Sequence, residues 1–287
     1  MESKIMKRNY TSWLLIPIAT LLASCSGEPP VKSIQAEAQV QAGEVANSEP
    51  LAYVNYAVVL DEYVNDEGWV DYQALKQNRQ KLDAFNATLA AVSPARYQGW
   101  SETEQIAFWL NAYNSLTLEA IIDNYPTDSI RDIPGVWKRL QFTVVGQDMT
   151  LDEIEHATLR KVYNEPRIHM ALVCASISCP KLRDEPYTGE QLDAQLDDQT
   201  REFLSHPRNF KIDRQAGTVY LSSIFKWFGE DWEKTYGGNE KFSKFNDKEG
   251  AVLNFVSQYL NESDRQYLQQ GDYPIDYLDY DWSLNES

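Results

Sequence analysis

The sequence predicts an α+β protein, mostly helical, with a small and mainly antiparallel β-sheet in a single globular domain over residues 51–287. Three observations carry that expectation. Apolar residues recur at helical spacing along most of the chain, only a few short segments alternate or run continuously apolar, and regular strand–helix–strand alternation is missing. Hydrophobic residues make up 43% of the chain and aromatic residues 12%, enough for a packed core.

The chain start has its own character. Lys4, Lys7 and Arg8 precede an apolar run from Trp13 to Ala23 that is interrupted by Pro17. Spanning a bilayer takes about 20 apolar residues, so this is the build of a secretory signal. Its end, Leu22-Ala23-Ser24-Cys25, resembles the lipobox of bacterial lipoproteins. The resemblance implies removal of residues 1–24 and lipid, palmitate included, on Cys25. Ser26 rather than Asp comes next, which by the same resemblance implies the periplasmic face of the outer membrane. Residues 25–50, with Glu28-Pro29-Pro30 and an Ala/Gln/Glu-rich stretch, read as a flexible tether.

From Leu51, the spacing of Tyr53, Tyr56, Val59, Leu60 and Tyr63 predicts a helix that Gly68 ends. A short extended piece at Val70-Asp71-Tyr72 precedes a helix over about 73–92, closed by Ser93-Pro94. Ser101-Glu102-Thr103-Glu104 is a capping box opening a helix from Glu102 to Asn124, stopped by Pro126. Its middle is apolar on most sides, so it belongs at the centre, with Asn111 and Asn114 on neighbouring positions of one face. Leu140–Met149 reads as a hairpin around Gly146. Thr150-Leu151-Asp152-Glu153 is a second capping box, for a helix through about Tyr163. Arg167 to Cys174 is apolar on both alternating faces, which predicts an interior strand. Helices over about 191–204 and 249–260, a strand at 219–221, a helix capped by Ser222 or Ser223, and a closing strand over 275–282 complete the reading.

The net charge of −17 repels nucleic acid and anionic headgroups. Phosphate-loop, HExxH and GxSxG motifs are missing from the sequence. Cys174 and Cys179 do not have the usual short zinc-ligand spacing. The expectation is therefore no cofactor and no metal site. The expected partners are the membrane, through the lipid anchor, and an envelope peptide, protein or polysaccharide. Oligomeric state is left open.

Three histidines and three cysteines make each informative. His206 precedes Pro207 at a helix end and reads as a surface group. His156 and His169 flank the segment that delivers Cys174. A nucleophilic thiol needs a base and a group that orients the base. Asp152 and His156, four apart on one helix, fit if the carboxylate takes one imidazole nitrogen and leaves the other for Cys174. Asn111 or Asn114 is a second orienting candidate. His169 is the weaker base, because alternation along a strand points it away from Cys174. Loop amides around Ser176–Ser178 are candidates for stabilising an oxyanion. The other reading keeps these groups structural or ligand-binding. Cys174 and Cys179 either bridge or stay free; opposed directions at a strand end favour free thiols.

The segments Phe108–Asn114, Ile154-Glu155-His156, Arg167–Leu172 and Cys174–Pro180 together resemble domain-of-unknown-function family 547. The resemblance runs from about Ser101 to Trp232, where Ser222–Trp232 is similar to the family's later helix. It implies no particular reaction. Plant members of that family carry Ser at the place of Cys179 but retain a Cys at the place of Cys174, so the resemblance makes Cys174 the better nucleophile candidate of the two. Two functions are expected on these grounds. One is a Cys–His hydrolase or acyltransferase on peptide or amide substrates, with Cys174, His156, Asn111 and His169 as its candidate residues. The other is a non-catalytic binding or scaffold lipoprotein.

Overall fold

The computed structural model describes residues 50–287. The signal, the lipidation residue Cys25 and nearly all of the expected tether lie outside the described residues. The architecture is the expected α+β mixture. Helices α1 (Val54–Tyr63), α2 (Tyr72–Gln77), α3 (Gln80–Ala91), α4 (Pro94–Gln98) and α5 (Glu102–Asn124) come first. The expected single helix over 73–92 is two helices. Asp71 caps α2 by accepting from the Ala74 amide, and the chain leaves helical geometry at Asn78 before α3 begins.

Helix α5 is the centre, as its all-round apolar sequence requires. Ser101 and Glu104 close the reciprocal capping box, and Tyr125, in extended geometry, ends the helix before Pro126. Residues from Ile106 to Leu118 are buried without interruption. Asn111 and Asn114 are inside this core, and each amide clasps backbone on another segment. Asn111 donates to the Tyr187 carbonyl (2.8 Å) and accepts from the Tyr187 amide (2.9 Å). Asn114 donates to the Ala171 carbonyl (3.0 Å) and accepts from the Val173 amide (2.9 Å).

The expected hairpin is β1 (Phe142–Val144) and β2 (Gln147–Met149). Its turn holds Val145 and Gly146 both at positive φ, the backbone twist a two-residue hairpin prefers. The Val145 and Gly146 amides donate to carbonyls of α3, which ties the turn down. Thr150 and Glu153 form the second capping box. The helix it opens is a π-helix, Glu153–Leu159, continued by the short α6 (Arg160–Val162). The wider π turn is visible where the Arg160 amide bonds the Glu155 carbonyl five residues back.

The strand expected over 167–174 is instead a 3-10 helix, Pro166–Met170, followed by a turn. Pro166 supplies a helical φ, and the Glu165 carboxylate accepts from the Arg167 amide, so the chain starts by coiling. A short run apolar on both faces does not distinguish a strand from a buried helical turn.

Helix α7 (Leu192–Ser205) leads to a three-stranded sheet of β3 (Phe210–Asp213), β4 (Thr218–Ser222) and, after α8 (Ser223–Phe228), α9 (Glu233–Tyr236), α10 (Asp247–Ser257) and α11 (Glu262–Gln270), β5 (Ile275–Leu278). β3 and β4 are antiparallel. β5 pairs with β4 in parallel, so this sheet is mixed; helices intervene between the two strands, and such a crossover lets the second enter in the same direction. Beyond β5 the chain runs on outside the sheet, and Leu284 bridges to Ser176 and Glu286 to Val70. Among the described residues no helix is long and apolar enough to cross a membrane.

The clamps of α5 are testable. Asn111→Leu leaves the Tyr187 amide and carbonyl without partners, and each orphaned buried group costs about 1–3 kcal/mol. Urea unfolding should show a loss of at least about 2 kcal/mol. Unchanged stability would mean that Tyr187 finds other partners.

Candidate functional site

A pocket of about 310 Å³ gathers most of the chemistry-bearing side chains that the sequence singled out. His156, His169, Cys174 and Cys179 all line it. Asn111 does not, since its amide is held by the Tyr187 backbone. His169 reaches the lining because the 3-10 helix removes the strict alternation that would point it away. His206 pairs with Glu202 (3.0 Å) elsewhere.

Cys174 and Cys179 are joined in a disulfide, contrary to the expectation of free thiols. Ala175 has φ of +58°, in the left-handed region, so the chain reverses immediately after Cys174. The two Cα atoms stand 6.1 Å apart, within reach of a bridge. Cys174 is half-buried and Cys179 is 5% exposed. The Cys174 amide donates to Cys179 Sγ (2.8 Å), and the Tyr280 hydroxyl donates to the same sulfur (3.2 Å). Cys174 Sγ has Ser176 Oγ and Tyr280 Oη as neighbours, each at 3.2 Å.

The imidazoles have other partners. Arg160 donates to His156 Nδ1 (3.0 Å), which puts the His156 proton on Nε2, 3.7 Å from Asp152. Asp152 thus sits beside one nitrogen as expected, but the other is taken by Arg160 rather than left for sulfur. His169 Nε2 donates to Asp231 (2.7 Å), and Arg160 donates to both oxygens of that carboxylate (2.6 and 3.0 Å). The His169 ring stacks on Phe228 at 4.5 Å, and Arg160 lies over the same ring. Burial lowers both histidines below their ordinary value. Burial works against the Asp231 carboxylate, but hydrogen bonds from His169 and Arg160 hold it down at about 2. Both histidines are therefore neutral near pH 7.

Two of the expected oxyanion donors are also committed. The Ile177 amide donates to the Ser283 carbonyl (2.9 Å) and the Ser178 amide to the Asp281 carbonyl (3.2 Å). These bonds fasten the terminal segment over the disulfide loop and bring Tyr280 and Trp282 into the pocket.

Sequence reasoning missed several residues. Glu155, next to His156, is partly buried, and that burial pushes its carboxyl up to about 7 against the pull of Arg160 and a hydrogen bond with Tyr113. Tyr113 on α5 is buried beside it, with its hydroxyl pushed well above the ordinary value by burial. Trp137, Trp227, Phe228, Tyr280 and Trp282 supply aromatic walls. Trp227 stacks on Trp282 (5.9 Å), Tyr280 packs against Trp282 (4.5 Å), and Trp137 meets Trp282 edge-on (6.0 Å). Trp227 stays 41% exposed. The signal in the sequence is the density of aromatic residues at 225–232 and 277–282, which reads equally well as core. Among the described residues no group of three or more His, Cys, Asp or Glu side chains is placed to hold a metal ion.

Residues 97–204 match the family model described as "Protein of unknown function, DUF547". The family resemblance of the sequence is borne out over that span. The DUF547 span carries α5, the π-helix with Glu155 and His156, and the disulfide loop. It ends before Ser222–Trp232, so the likeness drawn there to a later family helix falls outside the match. The pocket draws on both parts, because Trp227, Phe228, Tyr280 and Trp282 lie beyond DUF547. No curated protein and no solved structure gives a significant match to the chain.

Glu155 makes stability depend on pH. Between the ordinary carboxyl value of 4.5 and about 7, the folded chain keeps a proton on Glu155 that the unfolded chain releases. The unfolded state binds fewer protons there, so this group makes stability fall as pH rises across the window. Glu155→Gln should remove that slope. Urea unfolding at about pH 5 and about pH 8 should show a larger loss in the wild type than in the variant. Equal losses would mean that Glu155 is ionised and compensated in the fold.

Proposed function

We propose that the chain is a membrane-anchored envelope lipoprotein whose globular part binds a glycan segment of the envelope in the aromatic pocket. Export by residues 1–24 and lipid on Cys25, at the periplasmic face of the outer membrane, complete the reading. Leu22-Ala23-Ser24-Cys25 followed by Ser26 supports them. The observation that carries the binding reading is the wall of Trp137, Trp227, Tyr280 and Trp282 in one lining with Asp152 and Glu155. A sugar ring has apolar C–H faces that lie against aromatic rings, and hydroxyls at its edge that donate to carboxylates. A mostly apolar pocket with a few convergent polar groups is the usual build of such a site. The net charge of −17 argues against anionic polymers as ligands.

The Cys–His hydrolase or acyltransferase reading has less support. Its nucleophile is held in a disulfide, and the His156 nitrogen it would use accepts from Arg160. Acyl transfer therefore needs both a reduced Cys174 and a rearranged Arg160.

Titration with N-acetylglucosamine oligomers, followed by tryptophan fluorescence, should give saturable quenching. Trp227→Ala, at an exposed position, should weaken binding at least about tenfold, equivalent to about 1.4 kcal/mol. A chain that ignores saccharides but binds peptides would overturn the glycan reading.

The anchor has a separate test. Labelled palmitate should enter the wild-type chain in cells and not Cys25→Ala. Equal labelling of the two would place the lipid elsewhere.

A further inference from the structure

The pocket disulfide is unlike a structural bridge in three respects. It closes only the short loop between Cys174 and Cys179, and such loops constrain little of the unfolded chain. It lines a pocket instead of lying sealed in the core. Its two sulfurs have unequal surroundings. Cys174 is half-buried, with the Ser176 and Tyr280 hydroxyls each at 3.2 Å, whereas Cys179 is nearly fully buried and has, besides the same Tyr280 hydroxyl at 3.2 Å, the Cys174 backbone amide donating at 2.8 Å.

Thiol–disulfide exchange depends on access to the sulfur attacked and on stability of the thiolate expelled. Here access favours Cys174, and the backbone N–H that can hold a thiolate points at Cys179, in the order that exchange requires. We propose that the Cys174–Cys179 disulfide is a redox-active site that oxidises a dithiol entering the pocket, with Cys174 Sγ as the sulfur attacked and Cys179 as the leaving group. The activity is independent of whether the pocket also binds glycans.

The chemistry balances without a further reagent. One thiolate of the dithiol bonds to Cys174 Sγ, and the electron pair of the disulfide leaves on Cys179 Sγ. The Cys174 N–H and the Tyr280 O–H hold that thiolate. The second thiolate of the dithiol then attacks its own sulfur in the mixed disulfide and expels Cys174. The dithiol becomes a disulfide, and its two protons end on Cys174 and Cys179. Ala175, in the left-handed region, holds the loop in a conformation that costs about 1–2 kcal/mol in an L-residue. Such strain clusters where mechanism requires it.

The shared chemistry of the substrate is a pair of thiols, carried by a small molecule or by an extended polypeptide. The oxidised full-length chain in detergent is mixed with dihydrolipoamide in one arm and with a reduced Cys-x-x-Cys peptide in the other. Oxidation of either, with matching appearance of two protein thiols, is the expected result and identifies the source. A disulfide that stays closed in the folded chain, and opens only on unfolding, overturns the proposal. Glutathione, a single thiol, resolves the direction of attack. After an iodoacetamide quench, peptide mapping should find glutathione on Cys174 and the alkyl group on Cys179. The reverse pattern overturns the assignment. Tyr280→Phe should slow reduction about tenfold by removing a donor to the leaving thiolate. An unchanged rate counts against the site. Should that variant fail to fold, the reduced wild type answers the same question by its thiolate absorbance. Cys179 should ionise below the ordinary thiol value of about 8.5, and ionisation at or above it overturns the leaving-group role.

Discussion

Two buried side-chain amides on one helix set the geometry on which the rest of this structure depends. α5 is apolar nearly all round, so it is enclosed on every side, and an amide there must find partners or cost stability. Asn111 and Asn114 find them in backbone groups of segments distant in sequence, at Tyr187 and at Ala171–Val173. Each amide matches both a donor and an acceptor, as a strand neighbour would. Segments that lack regular secondary structure are thereby held at defined positions against the core. Asn114 acts directly before Cys174, so the disulfide loop starts from a pinned point.

The second constraint is the terminal segment after β5. Its backbone bonds to Ile177 and Ser178 close the disulfide loop from outside and carry Tyr280 onto both sulfurs. The same segment places Trp282 against Trp137 and Trp227. On the opposite arm of the lining, Arg160 ties His156 to Asp231, which in turn holds His169. Burial holds both histidines below their ordinary value against the pull of these carboxylates, and it raises the Glu155 carboxyl in the same lining to about 7. The lining carboxyl that burial raises is thus one residue before the histidine that the sequence favoured.

Legibility in the sequence tracks the range of the interactions involved. Both capping boxes, at Ser101–Glu104 and Thr150–Glu153, form as their spacing requires, because a capping box is complete within four residues. The burial of α5 is evident from its composition. The segment 167–174 departs from its expected strand because Pro166 and the Glu165 cap bias it towards coiling, whereas its hydrophobic pattern is silent on the choice. The π-helix is not visible in the sequence, since its hydrogen bonds differ from those of an α-helix by a single residue of register. The parallel entry of β5 is equally hidden, as strand pairing over more than fifty residues leaves no local trace.

At the candidate site the same division holds. The sequence by itself determined which residue types were scarce enough to matter, and it placed Cys174, His156 and His169 near one another through their order along the chain. It determined the helical core, because helical periodicity and caps are local properties of the chain. Only the tertiary structure decided that Cys174 and Cys179 are bridged, since the clamp from Asn114 and the bonds from Ile177 and Ser178 to the terminal segment act across the fold. Only the tertiary structure decided that His156 faces Arg160 rather than sulfur, and that Tyr280 and Trp282 complete the pocket from the far end of the chain. Those outcomes rest on contacts between residues up to more than a hundred positions apart, and such contacts are selected by packing and hydrogen-bond satisfaction in the assembled core.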